Sequence, residues 1–149
     1  MINILQFREL CIELQHKVNA ISDNPIDTVV MAVREEHMVK KLQNKLGITL
    51  CVSYPDAQSS GTEDNYTDNQ QVFFFVVKRL APGQLDDETE ITTYAELQDI
   101  MLNLRDVIRD YYSECMNIIP EESYKVEWEY QIFGGVNGLS MGVTFKNND

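Results

Sequence analysis

Val72 to Val77 reads Val-Phe-Phe-Phe-Val-Val, the most apolar and β-prone run in the chain, and it limits the possible folds more than any other stretch. In a pleated strand Val72, Phe74 and Val76 point to one side and Phe73, Phe75 and Val77 to the other. A central strand with apolar groups on both faces is therefore expected. Each face needs cover, from helices or from another subunit.

The length of 149 residues suits one domain, residues 1–149, with one core, and 44% apolar with 24% charged residues is ordinary for a globular chain. Twenty-four acidic against twelve basic side chains leave a net charge of −12, which repels phosphate backbones, so nucleic acid is not an expected partner. Cys11, Cys51 and Cys115 are far apart and have neither zinc nor redox spacing; free thiols in a reducing compartment are the expectation. The N-terminal Met-Ile-Asn-Ile-Leu-Gln-Phe-Arg-Glu lacks the pattern of a secretory signal, and no run approaches the ~20 apolar residues that span a bilayer. Cytoplasmic residence without a membrane partner follows.

In chain order, Ile4, Phe7, Cys11, Leu14, Val18 and Ile21 recur at spacings of three and four and predict a helix over about 2–20, stopped by Ser22-Asp23-Asn24-Pro25. Thr28 to Val33 reads as a short strand, followed by a helix carrying Met38, Val39, Leu42 and Leu46; a single helix over 27–46 is the competing reading. Ile48, Leu50, Val52 and Tyr54 alternate as a strand. If the run at Thr28 is also a strand, the connecting helix makes the two parallel. Residues 56–69 are polar and acidic and read as a long loop, either a mobile hairpin tip or a binding segment.

After the central strand, Ala81-Pro82-Gly83 marks a turn. Thr93 with Glu96 has capping-box spacing, which opens a helix there and leaves the acidic run Asp86 to Glu90 just ahead of it. Leu97, Met101, Leu104, Ile108 and Tyr111 form its apolar stripe. Tyr124, Val126, Trp128, Tyr130 and Ile132 alternate with polar residues as a strand; glycines at 134, 135 and 138 allow a reversal, and Leu139, Met141, Val143 and Phe145 line the return strand. The order is α-β-α-β-β-α-β-β, an α+β domain with a mixed sheet of about five strands packed with two to three helices. Phe74→Asp and Trp128→Ala are each expected to cost roughly 3 kcal/mol or more, because each removes a large apolar group from a sheet face that has no alternative cover.

Catalytic signatures are weak throughout. His37 beside Glu35 and Glu36, and His16 off its helix stripe, read as surface groups. Asp86 to Glu90 lacks the glycine and ligand spacing of a calcium loop. The glycines near 134 precede a strand and not the helix a phosphate loop needs, and there is no Gly-x-Ser-x-Gly elbow. No catalytic residue, cofactor or metal site is expected, and chelator and reductant should leave the melting curve unchanged. An interaction surface is expected at Phe73, Phe75 and Tyr66.

The element order from Thr28 to Lys146, closing on alternating Leu-Ser-Met-Gly-Val-Thr-Phe, resembles the small α+β proteins of tailed bacteriophages and prophages, the tail-terminator and head–tail joining type. That resemblance implies a non-enzymatic subunit that assembles with itself, as a ring, and with other assembly proteins, in the cytoplasm or in a virion. Two rival classes stay open. One is a small-molecule-binding or regulatory domain with its ligand between the central strand and a helix; the other is an enzyme with spatially assembled acids such as Glu127 and Glu129.

Overall fold

The computed structural model of the chain describes residues 2–62, 65–80, 86–111, 118–120 and 124–147. Among them the elements run α1 (Ile4–Ile21), β1 (Thr28–Ala32), α2 (Glu35–Leu42), β2 (Ile48–Ser53), β3 (Asp56–Thr62), β4 (Asn65–Arg79), α3 (Asp87–Tyr111), β5 (Ile118–Pro120), β6 (Lys125–Ile132) and β7 (Val136–Asn147). This is the expected α+β mixed sheet, with seven strands among the described residues in place of about five.

The expected central strand is the second half of β4, which pairs antiparallel with β7 from Asp68↔Asn147 to Arg79↔Val136. Each of these long strands has two neighbours on its other side. β4 takes β3 along its first half and β2 along its second, while β7 takes β5 near its end and β6 along its beginning. β1 lies outside β2 and parallel to it, with α2 as the crossover; strand then helix is therefore the correct reading of 27–46. The reading of 56–69 as a loop is corrected. Residues 56–62 and 65–69 belong to an antiparallel pair, Asp56↔Gln71 to Thr62↔Asn65, and 63 and 64 lie outside the described residues. Backbone pairing holds the stretch without apolar alternation, with β4 laddered to β3 and, from Asp68 on, to β7 as well.

The two faces of β4 are covered unequally. Val72, Phe74 and Val76 are buried under α1 and α3, which contribute Phe7, Leu10, Cys11, Leu14 and Val18 from one helix and Leu97, Ile100, Met101, Leu104 and Ile108 from the other. The opposite face carries a smaller cluster in which Met38 and Leu42 of α2 cover Val77, Val30, Ala32, Cys51 and Val136. Phe75 is half-buried at its border, its ring edge-on to Phe133 at 4.8 Å. Phe73 lies beyond α2 and remains 42% exposed. Its ring rests on Gly142, its partner in the β4–β7 register, where a Cβ would stand 3.2 Å from a ring carbon. Cover for the second face thus comes from within the chain for Val77, in part for Phe75, and least for Phe73.

Local chemistry sets the helix starts. Asn3 caps α1, its Oδ1 accepting the backbone N–H groups of Leu5 at 2.9 Å and Gln6 at 3.2 Å. α2 has no such side-chain cap on Arg34, but His37 reaches back and its Nδ1 accepts the Val33 N–H at 3.1 Å. α3 begins six residues before the Thr93–Glu96 pair. Asp86 is its cap, the carboxylate accepting the Thr89 N–H at 2.7 Å, so the acidic run forms the first turn and does not precede it. Thr93 instead returns its hydroxyl to the Thr89 carbonyl.

Two stability measurements check this account. Phe74→Ala should lower unfolding free energy by about 3–5 kcal/mol, whereas Phe73→Ala should cost under about 1 kcal/mol, both read from urea denaturation. Hydrogen bonds from Thr89 hold the Asp86 carboxyl below the ordinary carboxylate range. Because its folded pKa is lowered, its stabilisation is complete above the unfolded value of about 4 and is lost as pH falls through the lowered one. Asp86→Ala should therefore lower the melting midpoint at neutral pH, and the gap from wild type should close towards pH 2.

Candidate interaction surface

The three residues expected to form an interaction surface are spread along β4. Phe73 is exposed as expected; Phe75 is partly enclosed by Phe133 and the α2-side cluster. Tyr66 belongs to β4 opposite Gly61, seven residues from Phe73 and so roughly 23 Å along the strand at 3.3 Å per residue. Its side chain lies outside the described residues, as does Cys115. Cys11 and Cys51 are free and buried, and burial pushes the Cys51 thiol up to about 12 and the Cys11 thiol further. Neither is a thiolate near neutral pH. Among the described residues no group of three or more His, Cys, Asp or Glu is placed to hold a metal ion, and no helix is long and apolar enough to cross a membrane.

Exposed apolar surface gathers instead where α3 meets β6. Ile91 is 61%, Trp128 59% and Tyr130 66% exposed. They line one open groove of about 470 Å³ with Glu90, Tyr94, Ala95 and Gln98. The large loss expected of Trp128→Ala is corrected, because Trp128 stands more than half exposed at the sheet's edge. β6 is an edge strand, beyond the reach of α3 over most of its width. It also carries a bulge: its register against β7 shifts between Glu129 and Ile132, with Gln131 at φ 51°. Val126 before the bulge packs with the α1–α3 core, whereas Ile132 after it packs with the α2-side cluster. Five residues that alternate in sequence therefore do not share a face.

Tyr94 fixes the groove's geometry. Its hydroxyl donates to the Glu129 carbonyl of β6 at 2.7 Å, and its ring meets Trp128 edge to face, centroids 5.7 Å apart and planes at 79°. The two rings form a corner open to solvent. Burial and the neighbouring Glu90 charge raise the Tyr94 pKa, so it stays neutral and keeps donating. On α3, Asp87 lies one turn before Ile91 and extends the same helical stripe towards the acidic first turn.

A second groove, of about 540 Å³, lies at the other edge of the sheet, between α1 and β1. Ile4, Leu5, Ile12 and Val29 give it apolar walls, and Arg8, Lys41 and Lys45 give it positive charge without a lining carboxylate. Leu5 is 68% exposed. Because the Ala32 carbonyl accepts the Tyr54 N–H on the β2 side, the preceding Met31 carbonyl faces the open edge, where the Lys41 ammonium donates to it. A lysine thus covers an edge acceptor and discourages strand addition there. Glu127 and Glu129, the acids sharing a strand face, are separately engaged: Glu127 pairs with Lys125 at 2.8 Å and Glu129 accepts the Ser140 hydroxyl at 2.8 Å.

Compared with known proteins, the chain matches no family model and no curated relative.

Trp128 is the chain's single tryptophan, so its fluorescence reports on the α3–β6 groove. Emission should be that of a solvated indole and open to acrylamide quenching. Trp128→Ala should cost about 1 kcal/mol, the value of its edge contact with Tyr94 plus limited burial, and not the loss of roughly 3 kcal/mol expected of a core position. Chemical denaturation of the variant, followed by circular dichroism, checks it.

Proposed function

We propose that this chain is a non-enzymatic assembly subunit that works through protein–protein contacts, with itself among its partners. The observation that carries the reading is the cluster of Ile91, Trp128 and Tyr130, each more than half exposed and lining a single groove beside Tyr94. Solvating such a contiguous apolar patch costs free energy that a partner would recover, and Trp and Tyr are the residue types that dominate binding energy at interfaces. The same groove has an acidic carboxylate at its rim, and the neutral Tyr94 is already committed to a backbone carbonyl. These are features of a contact surface more than of acid–base chemistry. Tail completion or head–tail joining, the role implied by the resemblance in element order, is the setting we propose for such a subunit.

The expected behaviour is a solution mass that rises with protein concentration. Long-range repulsion between molecules of net charge −12 opposes association, so moderate salt should promote it by screening. Sedimentation velocity across protein and salt concentrations is the test. A strictly monomeric protein at high concentration in salt, with a melting midpoint raised by a small ligand, would favour the ligand-binding class instead.

A further inference from the structure

The two grooves differ in chemistry and sit at opposite edges of one sheet, and that pairing has a geometric consequence. Along the order β1-β2-β4-β7, with β6 beyond β7, the α1–β1 groove closes one end and the α3–β6 groove the other. One has Arg8, Lys41 and Lys45 over apolar walls; the other has an aromatic corner with Glu90 and the acidic first turn of α3. Among the described residues Arg8, Lys41 and Lys45 make no ion pair, although acids outnumber bases two to one in the chain. Three cations without a carboxylate partner in so acidic a molecule are complementary to the rest of its own surface.

Resting on the assembly reading above, we infer that the α3–β6 groove receives the α1–β1 groove of a second copy of this chain, with Leu5 and Arg8 as the incoming side chains. Leu5, the more exposed of the apolar residues on α1, meets Ile91 and Trp128. Arg8 meets the open face of the Trp128–Tyr94 corner, where a guanidinium gains from the ring quadrupole, and its charge meets Glu90. The contact joins unlike surfaces, so each copy keeps one free groove at either end and association is head-to-tail. Like-charged surfaces would meet if either groove paired with itself, basic against basic or acidic against acidic, which disfavours the symmetric alternatives. Each groove is small against the ~800 Å² per partner of a standard interface, so the flanking strands and helix ends share the contact and association requires high protein concentration.

Charge reversal tests the pairing, with sedimentation equilibrium as the readout and circular dichroism to verify folding. Arg8→Glu and Glu90→Arg should each weaken self-association about tenfold or more, since each sets like charges against one another. The double variant carrying both reversals should return to within about threefold of wild type, because its inverted grooves are again complementary. An equimolar mixture of the two single variants should associate as well as the double variant, in alternating order. If one single variant associates as wild type does and the double variant behaves like the other single, the contact is a symmetric one and the inference fails. Wild-type association unaffected by either reversal would also overturn it while leaving the assembly reading standing. A wild-type protein that never associates would overturn both.

Discussion

The antiparallel pairing of β4 with β7 holds the sheet together and fixes where every layer sits. It runs the whole of β7 and all but the first three residues of β4, from Asp68↔Asn147 to Arg79↔Val136, and each remaining described strand except β1 is laddered directly to one of them. Close approach at one point of that ladder needs a glycine. A Cβ at Gly138 would run into the Val76 carbonyl, so the strand can lie against β4 only with hydrogen in that place. The apolar run of β4 makes the pairing worthwhile, since Val72, Phe74, Val76 and the Leu139, Met141 and Val143 of β7 reach the same side and are buried together beneath α1 and α3.

Unequal cover follows from that arrangement. α1 and α3 shield the face of Phe74 across the centre of the sheet, but neither extends over both edges, and α2 on the opposite face is only eight residues long. Among the described residues, the apolar groups left uncovered include Leu5 beside β1, Phe73 beyond α2, and Ile91 with Trp128 and Tyr130 beside β6. The rims beside β1 and β6 differ in charge, and the difference gives the proposed assembly its direction. A helix layer long enough to bury Trp128 would have produced a more stable monomer and removed the surface through which this one is proposed to act.

Helical stripes and the central strand were legible in the sequence because burial enforces a period, as with Phe7, Leu14 and Val18 or Leu97, Met101 and Leu104. The polar arm from Asp56 to Asn69 was not. Its strands are set by backbone pairing to a neighbour already in place, and side chains such as Gln58 and Ser59 carry no apolar period to betray it. The start of α3 was misplaced for a related reason: Thr93 and Glu96 have the spacing of a cap, yet Asp86 sits where the carboxylate reaches the Thr89 amide. The proposed contact surface has only a distant forerunner in the sequence, the expectation of uncovered apolar groups around Phe73 and Phe75. Trp128 and Tyr130 were missed because alternation does not show that β6 is an edge strand among the described residues, and Ile132 falls on the other face because of the register shift after Glu129, which alternation does not reveal either. A strand whose alternate residues include two large aromatics with polar tips, rather than aliphatic groups, was the available hint.

The exposed corner around Trp128 is the proposed protein contact surface, and the indole itself can report on it. Acrylamide quenching of the single tryptophan, measured together with solution mass over a rising protein concentration, tests this most directly. Quenching should fall and emission should shift to the blue in step with the rise in mass. A mass that rises while Trp128 stays as quenchable as in the monomer would contradict it.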